Sequence, residues 1–436
     1  MPNGSNTNKG NIKGLFPLFA FLIVYILVRL LSGSFETMPI MVGISIGCLV
    51  AFFLNNKEHK ISFTEKVTIF CKGGGEETLI LMVIIFLLAG AFYSVANAMH
   101  AVDAIVNIGL SILPSNMILP GLFVVSCILS FAMGTSMGTV STLAPIAIGI
   151  ASKIGVDIPL VAGIVIGGAM FGDNLSFISD TTIAATRTQE VSMKDKFKVN
   201  FLMVLPAIII NIGLLLLVDV NASASTEHLD FNVINILPYM TVIILSLIGM
   251  HVIPVMGLGI LSGLIIGVFH NDFTILETFK VVHTGMVWMQ DMALIAVLVG
   301  GMVALMKYLG GIDFLLYHLT KNVKSVRAGE FSIATLVSLL DIATTNNTIS
   351  IIVSGPISKN IGNEIGIDRS RIASILDLFS SAFSGLSPFG GQLLVMAGLC
   401  SISPIDIIPY VWYCMLMLVF GIFFIMIGWP KMRREK

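Results

Sequence analysis

A twelve-residue stretch, Phe171–Thr182, carries side chains whose types and spacing could do chemistry. It reads Phe-Gly-Asp-Asn-Leu-Ser-Phe-Ile-Ser-Asp-Thr-Thr and follows the apolar run Ile158–Met170. Carboxylates at membrane depth are costly, so Asp173 and Asp180 are not expected in apolar surroundings without a role. Carboxylate, amide and hydroxyl oxygens are hard ligands that suit small cations. We therefore interpret this stretch as half of an ion or substrate site.

The composition of the whole chain indicates a polytopic membrane protein. Of its 436 residues, 56% are hydrophobic and 11% are charged, and the mean hydropathy is +0.97. A soluble domain carries roughly 25% charged residues, so this chain is too poor in charge to cover a water-facing surface. Lysine and arginine are few and sit between apolar runs, which gives nucleic-acid binding no support. The five cysteines form neither a CxxC pair nor a Cys/His cluster, so we expect neither disulfides nor metal ligands from them.

Apolar runs long enough to cross a membrane recur along the chain. They predict an all-α polytopic membrane protein with about 11 to 13 membrane segments, some of them half-helices. Lysine and arginine cluster at the N-terminus, in the connections 55–75 and 187–198 and in the C-terminal tail, whereas 219–230 has none. Basic connections face the cytoplasm. This rule predicts cytoplasmic N- and C-termini in a multi-pass protein of the cell (inner or plasma) membrane, and it leaves the topology of 310–371 open.

The two halves of the chain align without a gap at one offset. Pro145 and Pro356 lie 211 residues apart, and the same offset pairs Asp157 with Asp368. A weak duplication half a protein long is typical of secondary transporters. The basic connection 187–198 is matched to residues 398–404, which contain no lysine or arginine. If the positive-inside rule holds for both, the repeats are inverted, and their discontinuous helices meet near the membrane midplane.

The repeat suggests a division of the chain into five parts. We expect an N-terminal helical pair with a basic loop at 1–77, a first repeat at 78–198, connecting helices at 199–283, a second repeat at 284–404, and a C-terminal helix with a basic tail at 405–436. Within these parts, Thr284–Leu309 and Ile372–Ala397 are each expected to form one apolar segment.

Two matched stretches of small polar residues, Gly134–Thr139 and Thr344–Thr348, interrupt apolar helix. Each is followed by a proline, which removes a backbone donor and frees carbonyl groups. Unwound backbone is tolerated in a membrane only where it is buried in protein or lines a cavity. Small and hydroxyl-bearing residues are also common at plain helix contacts. The matched occurrence in both halves favours a binding role, with oxygens suited to an alkali cation.

The stretch Phe171–Thr182 has its own counterpart at Ser380–Gln392, where Ser384 matches Asp173. A carboxylate facing hydroxyls and an amide would make an asymmetric cation site. Burial favours the protonated carboxyl and a bound cation favours the ionised one, so Asp173 could exchange a proton for a cation. Asp180 has an alternative interpretation, as a helix-cap or interfacial aspartate before the basic connection.

Two further aspartates, Asp341 and Asp377, lie within apolar helical runs of the second half. Each is either a site residue or the partner of a buried basic residue. Arg369 and Arg371 are the basic residues nearest to Asp377 in the sequence.

The predicted cation- or substrate-binding set draws on both halves. It consists of Asp173, Asn174, Ser176, Thr135, Ser136, Thr139, Asn346, Asn347, Ser384, Ser387 and Gln392, with Asp180, Asp341 and Asp377 as further candidates. Sodium is expected at Asp173, Thr135 and Asn346. No cofactor is expected beyond sodium or a proton as the coupling ion.

These motifs resemble the NhaC-type sodium/proton antiporter family, within the ion-transporter superfamily of inverted-repeat carriers. Gly134–Thr139, Pro145 and Phe171–Thr182 match the first-half motifs of that family, and the resemblance covers roughly residues 78–432. In the second half, 341–348 and 386–392 stand where a typical antiporter would repeat Gly-Thr-x-x-Gly-Thr. The resemblance therefore implies a divergent branch, some of whose members are thought to carry amino acids.

We predict a secondary active transporter, with sodium (cation)/proton antiport by alternating access as the leading function. The alternative is a sodium- or proton-coupled transporter of an amino acid or other small organic solute. The amides of Asn346, Asn347 and Gln392 could recognise polar groups, and Gly390 and Gly391 would leave room. An intramembrane aspartyl protease needs no matched polar breaks, and nothing resembles a channel filter, so we predict no enzyme. The expected partners are the lipid bilayer and the transported cation or solute; a homodimer is left open.

Overall fold

The computed structural model describes residues 9–32, 38–55, 60–177, 179–220, 232–320 and 325–430. Three predicted features fall wholly or mostly outside these residues: the polar N-terminus up to residue 8, the acidic connection at 219–230, and the basic tail at 431–436. The described residues are organised as helices and their connections, as the hydropathy predicts.

The helices of the first half begin near the N-terminus and end at residue 216. They are α1 Phe16–Ser32, α2 Ile40–Phe53, α3 Phe63–Gly74, α4 Glu77–Ala98, α5 Ala101–Ile112, α6 Ile118–Met133, α7 Ser136–Ile154, α8 Ile158–Leu175, α9 Asp180–Gln189 and α10 Met193–Leu216.

The helices of the second half begin at residue 237 and end at residue 427. They are α11 Leu237–Leu247, α12 Val252–His270, α13 Ile275–Trp288, α14 Gln290–Tyr308, α15 Gly311–Thr320, α16 Val326–Thr344, α17 Asn347–Ile365, α18 Arg369–Ser384, α19 Gly391–Cys400, α20 Pro404–Ile407 and α21 Trp412–Ile427.

Seven helices of the described residues are long and apolar enough to cross a membrane, or eight if the bent pair Gly391–Cys400 and Pro404–Tyr410 is one span. Shorter apolar helices of 10–17 residues accompany them, among them α2 and α21. The described residues therefore contain both membrane-length helices and shorter apolar helices. The break between α19 and α20 bends the chain by 102°.

The repeat inferred from the sequence is visible in the helix bounds. Helices α7 and α17 begin and end 211 residues apart, and so do α9 and α19. The correspondence also reaches segments outside the predicted repeats, because α2 and α12 begin 212 residues apart. Two copies of one helical arrangement therefore account for most of the described chain.

The halves pack reciprocally, as two copies related by a two-fold axis must. Helices α2 and α3 of the first half pack against α14 of the second, while α12 and α13 pack against α4. Likewise α9 packs against α17, and α19 packs against α7. The helices that carry the polar stretches thus pack across the interface between the halves.

Glycines permit the closest of these reciprocal crossings. A Cβ atom added at Gly90 of α4 would lie 2.1 Å from the carbonyl oxygen of Gly285 on α13, and one added at Gly285 would lie 2.1 Å from the oxygen of Gly90. In the reciprocal crossing, a Cβ atom at Gly73 of α3 would lie 2.6 Å from the oxygen of Gly300 on α14. Small residues let helix backbones approach in membranes, and any side chain here would separate the helices.

The Gly90→Ala variant is expected to lower the thermal unfolding midpoint of the purified protein in detergent. Overpacking costs about 1–3 kcal/mol, and the clashing atoms belong to backbone that cannot rotate away. Gly257→Ala on α12 is the matched control, since an added Cβ meets nothing within 4 Å there. Equal midpoints for the two variants would contradict the assigned crossing.

Two predicted segments are each divided into two helices. Thr284–Leu309 is broken between α13 and α14. At the break, the Met289 N–H donates a hydrogen bond to the Met286 carbonyl, which forms a tight turn. Ile372–Ala397 is broken between α18 and α19. Pro388 in that gap has no N–H to donate. A Cβ atom at Gly390 would lie 2.5 Å from the Ser384 carbonyl oxygen, so the chain turns back tightly there.

The connection 55–75, expected to be a polar loop, contains a helix. Ser62 and Glu65 form a reciprocal capping box that starts α3. Lys66 is buried and donates from Nζ to the carbonyls of Phe52 and Leu54 at the end of α2, at 2.7 Å each. Basic side chains satisfy the last carbonyls of a helix in this way, so a lysine counted as a loop charge closes α2.

Candidate functional site

The two polar interruptions are helix breaks of the same geometry. Gly134 ends α6 with φ 65°, and the next residue, Thr135, is extended at φ −144° and ψ 117°. The equivalent Thr345 ends α16 with φ 53°, and Asn346 is extended at φ −147° and ψ 114°. Glycine adopts positive φ without strain, whereas a β-branched threonine there is strained. The second break thus stores strain that the first does not.

The residues after each break cap the helix that follows. Thr135 Oγ1 accepts the Gly138 N–H at 3.4 Å, and Asn346 Oδ1 accepts the Ile349 N–H at 2.9 Å. Both oxygens keep a second lone pair for another partner. The prolines do not form the breaks, because Pro145 lies inside α7 and its equivalent lies inside α17, where each still lacks an N–H for the preceding turn. The backbone turns at the positive-φ residue, not at the proline.

Asp173 lies near the end of α8 and reaches the start of α7. Its side chain is buried, and Oδ1 accepts the Ser136 N–H at 3.0 Å. Its Oδ2 accepts a hydrogen bond from the Ser136 hydroxyl and a longer one, of 3.4 Å, from Asn347 Nδ2. Asn347 is the first residue of α17, so the carboxyl joins the N-termini of the two equivalent helices. Helix N-termini favour anions.

A glutamine from the second half completes this network. Gln392 Nε2, on the first turn of α19, donates to the Ser136 hydroxyl at 2.7 Å. Ser384 Oγ lies 3.5 Å from Gln392 Oε1. The predicted pairing of Asp173 with its counterpart Ser384 therefore runs through Gln392 and Ser136 rather than by direct contact.

These groups face a cavity of about 520 Å³ at the junction of the two halves. Two carboxylates, Asp173 and Asp180, lie in its wall, and the lining described in the structure contains neither lysine nor arginine. The apolar part of the wall comes from leucine, isoleucine and methionine of α4, from Met133 and Met137 beside the first break, and from Met250 and Val252 around the start of α12. The cavity is thus acidic and lined with hydroxyl and amide oxygens.

Eight of the predicted residues line the cavity and six do not. Those in the lining are Thr135, Ser136, Asp173, Asp180, Asn346, Asn347, Ser384 and Gln392. Those outside the lining are Thr139, Asn174, Ser176, Ser387, Asp341 and Asp377.

The residues outside the lining make other contacts. Thr139 Oγ1 donates to the Thr135 carbonyl at 3.0 Å, and Ser176 Oγ donates to the Phe131 carbonyl at 2.7 Å. The Ser387 hydroxyl accepts the Phe389 N–H in the turn before α19. These hydroxyls satisfy nearby backbone instead of facing the cavity, which is the usual fate of serine and threonine beside helix ends.

Four polar cavity residues, His251, Thr181, Thr345 and Thr348, escaped the sequence prediction. His251, at the start of α12, lies in the lining and accepts the Ile253 N–H at Nδ1. Thr181 lies there as well and donates to the Asp173 carbonyl at 2.8 Å, and Thr345 and Thr348 complete the group. The three threonines lie inside the recognised polar stretches. His251 comes from outside them, and no local signal distinguishes it.

A buried ion pair joins the halves behind the cavity. Lys196 of α10 pairs with Asp377 of α18, and both side chains are almost fully buried. Lys196 also donates to the Thr182 hydroxyl at 2.9 Å and to the Asn174 carbonyl. Of the two sequence hypotheses for Asp377, the ion-pair partner is therefore the one supported, with Lys196 rather than Arg369 or Arg371 as its partner.

The ion pair is part of a larger polar cluster. Asn200 Nδ2 donates to the Asn174 carbonyl at 2.8 Å, and Ser374 Oγ donates to Asn200 Oδ1 at 2.9 Å. The cluster thus fixes the end of α8, which carries Asp173, against α10 and α18. The Asn174 side chain itself is buried and its amide atoms have no hydrogen-bond partner among the described residues.

A second set of charges links the halves at the protein surface. Glu190, just after α9, pairs with Lys359 at 2.9 Å and with Arg369 at 2.8 Å. The hydrogen bond and charge of Lys359, with those of Arg369, hold the pKa of Glu190 below its ordinary value. The basic connection at 187–198 therefore lies beside the start of α18 in the second half.

Known proteins resemble this chain over most of its length. The sequence model of a family described as the Na+/H+ antiporter family matches residues 11–218 and 196–429. The Na(+)/H(+) antiporter NhaC of Bacillus subtilis strain 168 is 27% identical over 446 residues, covering 92% of this chain and 95% of the relative. The malate-2H(+)/Na(+)-lactate antiporter of the same strain is 23% identical over 433 residues, covering 91% of each. Among solved structures, the YdaH transporter of Alcanivorax borkumensis covers 96% of this chain and 99% of its own, with 14% identity and a TM-score of 0.38.

Proposed function

We propose that this protein, which belongs to the Na+/H+ antiporter family, exchanges sodium ions for protons across the membrane by alternating access. The observation that carries the proposal is Asp173, a buried carboxyl at the junction of two equivalent helix breaks. One face of this carboxyl is hydrogen-bonded to protein, and the cavity lies beside it.

The surroundings of Asp173 balance two opposite demands. Burial disfavours its ionised form, while three hydrogen bonds from Ser136 and Asn347 favour it. A proton or a sodium ion can neutralise the carboxylate, but the two compete for the same charge. One residue can therefore bind either ion in turn, and this competition is the minimal chemistry of an antiporter.

The charge of the cavity supports a cation as the substrate. Its described lining contains Asp173 and Asp180 but no lysine or arginine. An organic anion entering this space would meet carboxylates without a basic partner, which is costly in a site with little water. Sodium would meet hydroxyl, amide and carboxylate oxygens, its preferred ligands, with Thr135 and Asn346 as the residues proposed beside Asp173.

The volume of the cavity is also large enough for the alternative substrate, a small organic solute. About 520 Å³ exceeds the needs of one dehydrated sodium ion. The room fits a hydrated ion or a small solute, and Gln392 and Asn347 could hydrogen-bond either. Neither the family nor the cavity charge favours the solute over sodium.

The paired surface charges suggest an orientation for the protein. Glu190 brings the connection 187–198 beside Lys359 and Arg369, so basic residues of both halves gather on one side. Basic connections face the cytoplasm. We therefore assign this side to the cytoplasm.

The experiment that tests the function uses purified protein in liposomes. A sodium gradient imposed across the membrane should change the internal pH, reported by an enclosed dye, and an equal gradient of choline should not. The same liposomes are then supplied with labelled amino acids. Amino-acid uptake without sodium-dependent proton movement would refute antiport and support the solute transporter.

A further inference from the structure

Asp341, a buried carboxyl outside the cavity, is not paired with any of the residues that the structure describes. The Asp341 side chain on α16 is 1% exposed, and neither of its oxygens has a hydrogen-bond partner among the described residues. An ionised carboxylate with neither water nor a counter-charge is far too costly to bury. The neutral acid removes most of this cost, so burial in these surroundings favours the protonated form of Asp341.

Helix geometry places Asp341 on the face of α16 that packs against α18. Glu330, three turns earlier on α16, pairs with Arg371 of α18 at 3.1 Å. Residues 330, 334, 337 and 341 are all buried and share that face. The Asp341 carbonyl accepts the N–H of Thr345, the strained residue at the break. Asp341 therefore sits one turn before the break.

The repeat shows what this position does in the other half. Ser130 stands at the equivalent place on α6, and its hydroxyl donates to the Ala169 carbonyl of α8 at 2.6 Å. A Cβ atom added to Gly172 would lie 2.0 Å from that hydroxyl, so the crossing is close. The second half has Asp341 and Phe383 at these two positions. A satisfied hydroxyl is thus replaced by a larger, unpartnered acid.

The charged groups on the helices packed against α16 are engaged elsewhere or do not pair with Asp341. On α18, Arg371 pairs with Glu330, Arg369 pairs with Glu190, and Asp377 pairs with Lys196. The remaining acidic and basic side chains on α14, α15 and α17 are Asp291, Lys307, Asp313, His318, Lys359 and Glu364, and Tyr308 and Tyr317 are the tyrosines there. Among the described residues, none of the charged groups forms an ion pair with Asp341. Helix α21 carries no charged side chain.

We propose that Asp341 is a second proton-carrying group of the exchange cycle, separate from the cavity and from Asp173. This inference rests on the proposed antiport function. Alternating access moves one repeat or bundle against the other around the central site, and Asp341 lies one turn from the helix break that reaches this site. When this movement admits water from one side of the membrane, the acid releases its proton to that side and becomes a carboxylate. It takes up a proton from the opposite side before it is buried again, so each cycle moves one proton across the membrane.

The first test asks whether Asp341 holds a proton, and it does not depend on transport. Infrared difference spectra of the purified protein at neutral pH report the C=O stretch of protonated carboxylic acids. Asp341→Asn should remove such a band, and the band should persist in Asp291→Asn, where an exposed aspartate of α14 is replaced. If the Asp341→Asn variant retains every carboxylic-acid band of the unmodified protein, the proposal is overturned.

The second test asks whether that proton is moved in the cycle. In liposomes, the ratio of protons to sodium ions is read from the pH difference that just halts sodium-driven flux. Asp341→Asn should lower this ratio by about one proton per cycle, since one titrating group is lost. An unchanged ratio with an unchanged pH profile of transport would overturn the proposal.

A second variant guards against misfolding of the first. Asp341→Ser introduces the residue type found at the equivalent Ser130 and should give the same reduced ratio with the fold retained. If the unmodified protein moves no protons in response to sodium, the antiport function fails and the linkage of Asp341 fails with it. If the unmodified protein exchanges ions normally and the Asp341 variants have the same proton-to-sodium ratio, the role of Asp341 as a second carrier is refuted, while the antiport function stands.

Discussion

The Asp173→Asn variant is expected to fold normally and to lose sodium-dependent proton movement, down to the level of protein-free liposomes. Asparagine has the shape of the protonated carboxyl, so its Oδ1 can still accept the Ser136 N–H and its Nδ2 can donate to the Ser136 hydroxyl, while the weak hydrogen bond from Asn347 Nδ2 is lost. It cannot ionise, however, and therefore can neither release a proton nor neutralise sodium. Internal pH after a sodium jump measures the loss directly.

The matched control for this variant is Asp291→Asn. Asp291 lies in the first turn of α14, is exposed and does not line the cavity. Its replacement removes one carboxylate from the protein without touching the candidate site, so exchange should continue at the original rate. Normal exchange by Asp173→Asn, or equal loss in both variants, would show that the carboxyl at the helix breaks is not the exchanging group.

The Lys196→Met variant is expected to cause the largest loss of stability among these changes. Removing one partner of a buried ion pair leaves the other charge uncompensated, at a cost of about 3–5 kcal/mol. Asp377 would then lie fully buried without its cation, and the Asn174 carbonyl would lose a donor. The thermal midpoint and the monodisperse yield in detergent measure the effect.

The double variant Lys196→Met/Asp377→Leu separates charge from packing. The repeat-equivalent positions are occupied by the fully buried Ile407 and Ile166, which shows that this fold accepts apolar residues there. Replacing both members of a buried pair by apolar residues is often neutral or stabilising. The double variant should therefore recover most of the lost stability. A double variant less stable than either single one would contradict this assignment.

The sequence predicted the repeat and the breaks because both are local properties repeated at one offset. Gly134 and Asn346 are conspicuous as small or polar residues within apolar runs. The sequence could not predict that Thr135 and Asn346 direct side-chain oxygens to helix caps. Capping and ligand binding call on the same residue types, and only the backbone geometry distinguishes them.

The sequence alone does not predict which side chains from distant parts of the chain contact each other. Lys196 lies between Lys194 and Lys198 in a basic connection, and this position alone predicts a solvent-exposed charge in a loop. A signal was nevertheless available, because positions 196, 199, 200 and 203 recur at helical spacing and form the buried face of α10. The link from Gln392 to Ser136, across 256 residues, has no comparable local signal.

The measurement that tests the central claim most directly is proton release on sodium binding. Sodium chloride is added to the purified protein in weakly buffered solution, and choline chloride serves as the control. Competition at Asp173 predicts that sodium, but not choline, releases protons, and that Asp173→Asn releases fewer. Sodium binding without proton release, or equal release from Asp173→Asn, would contradict exchange at this carboxyl.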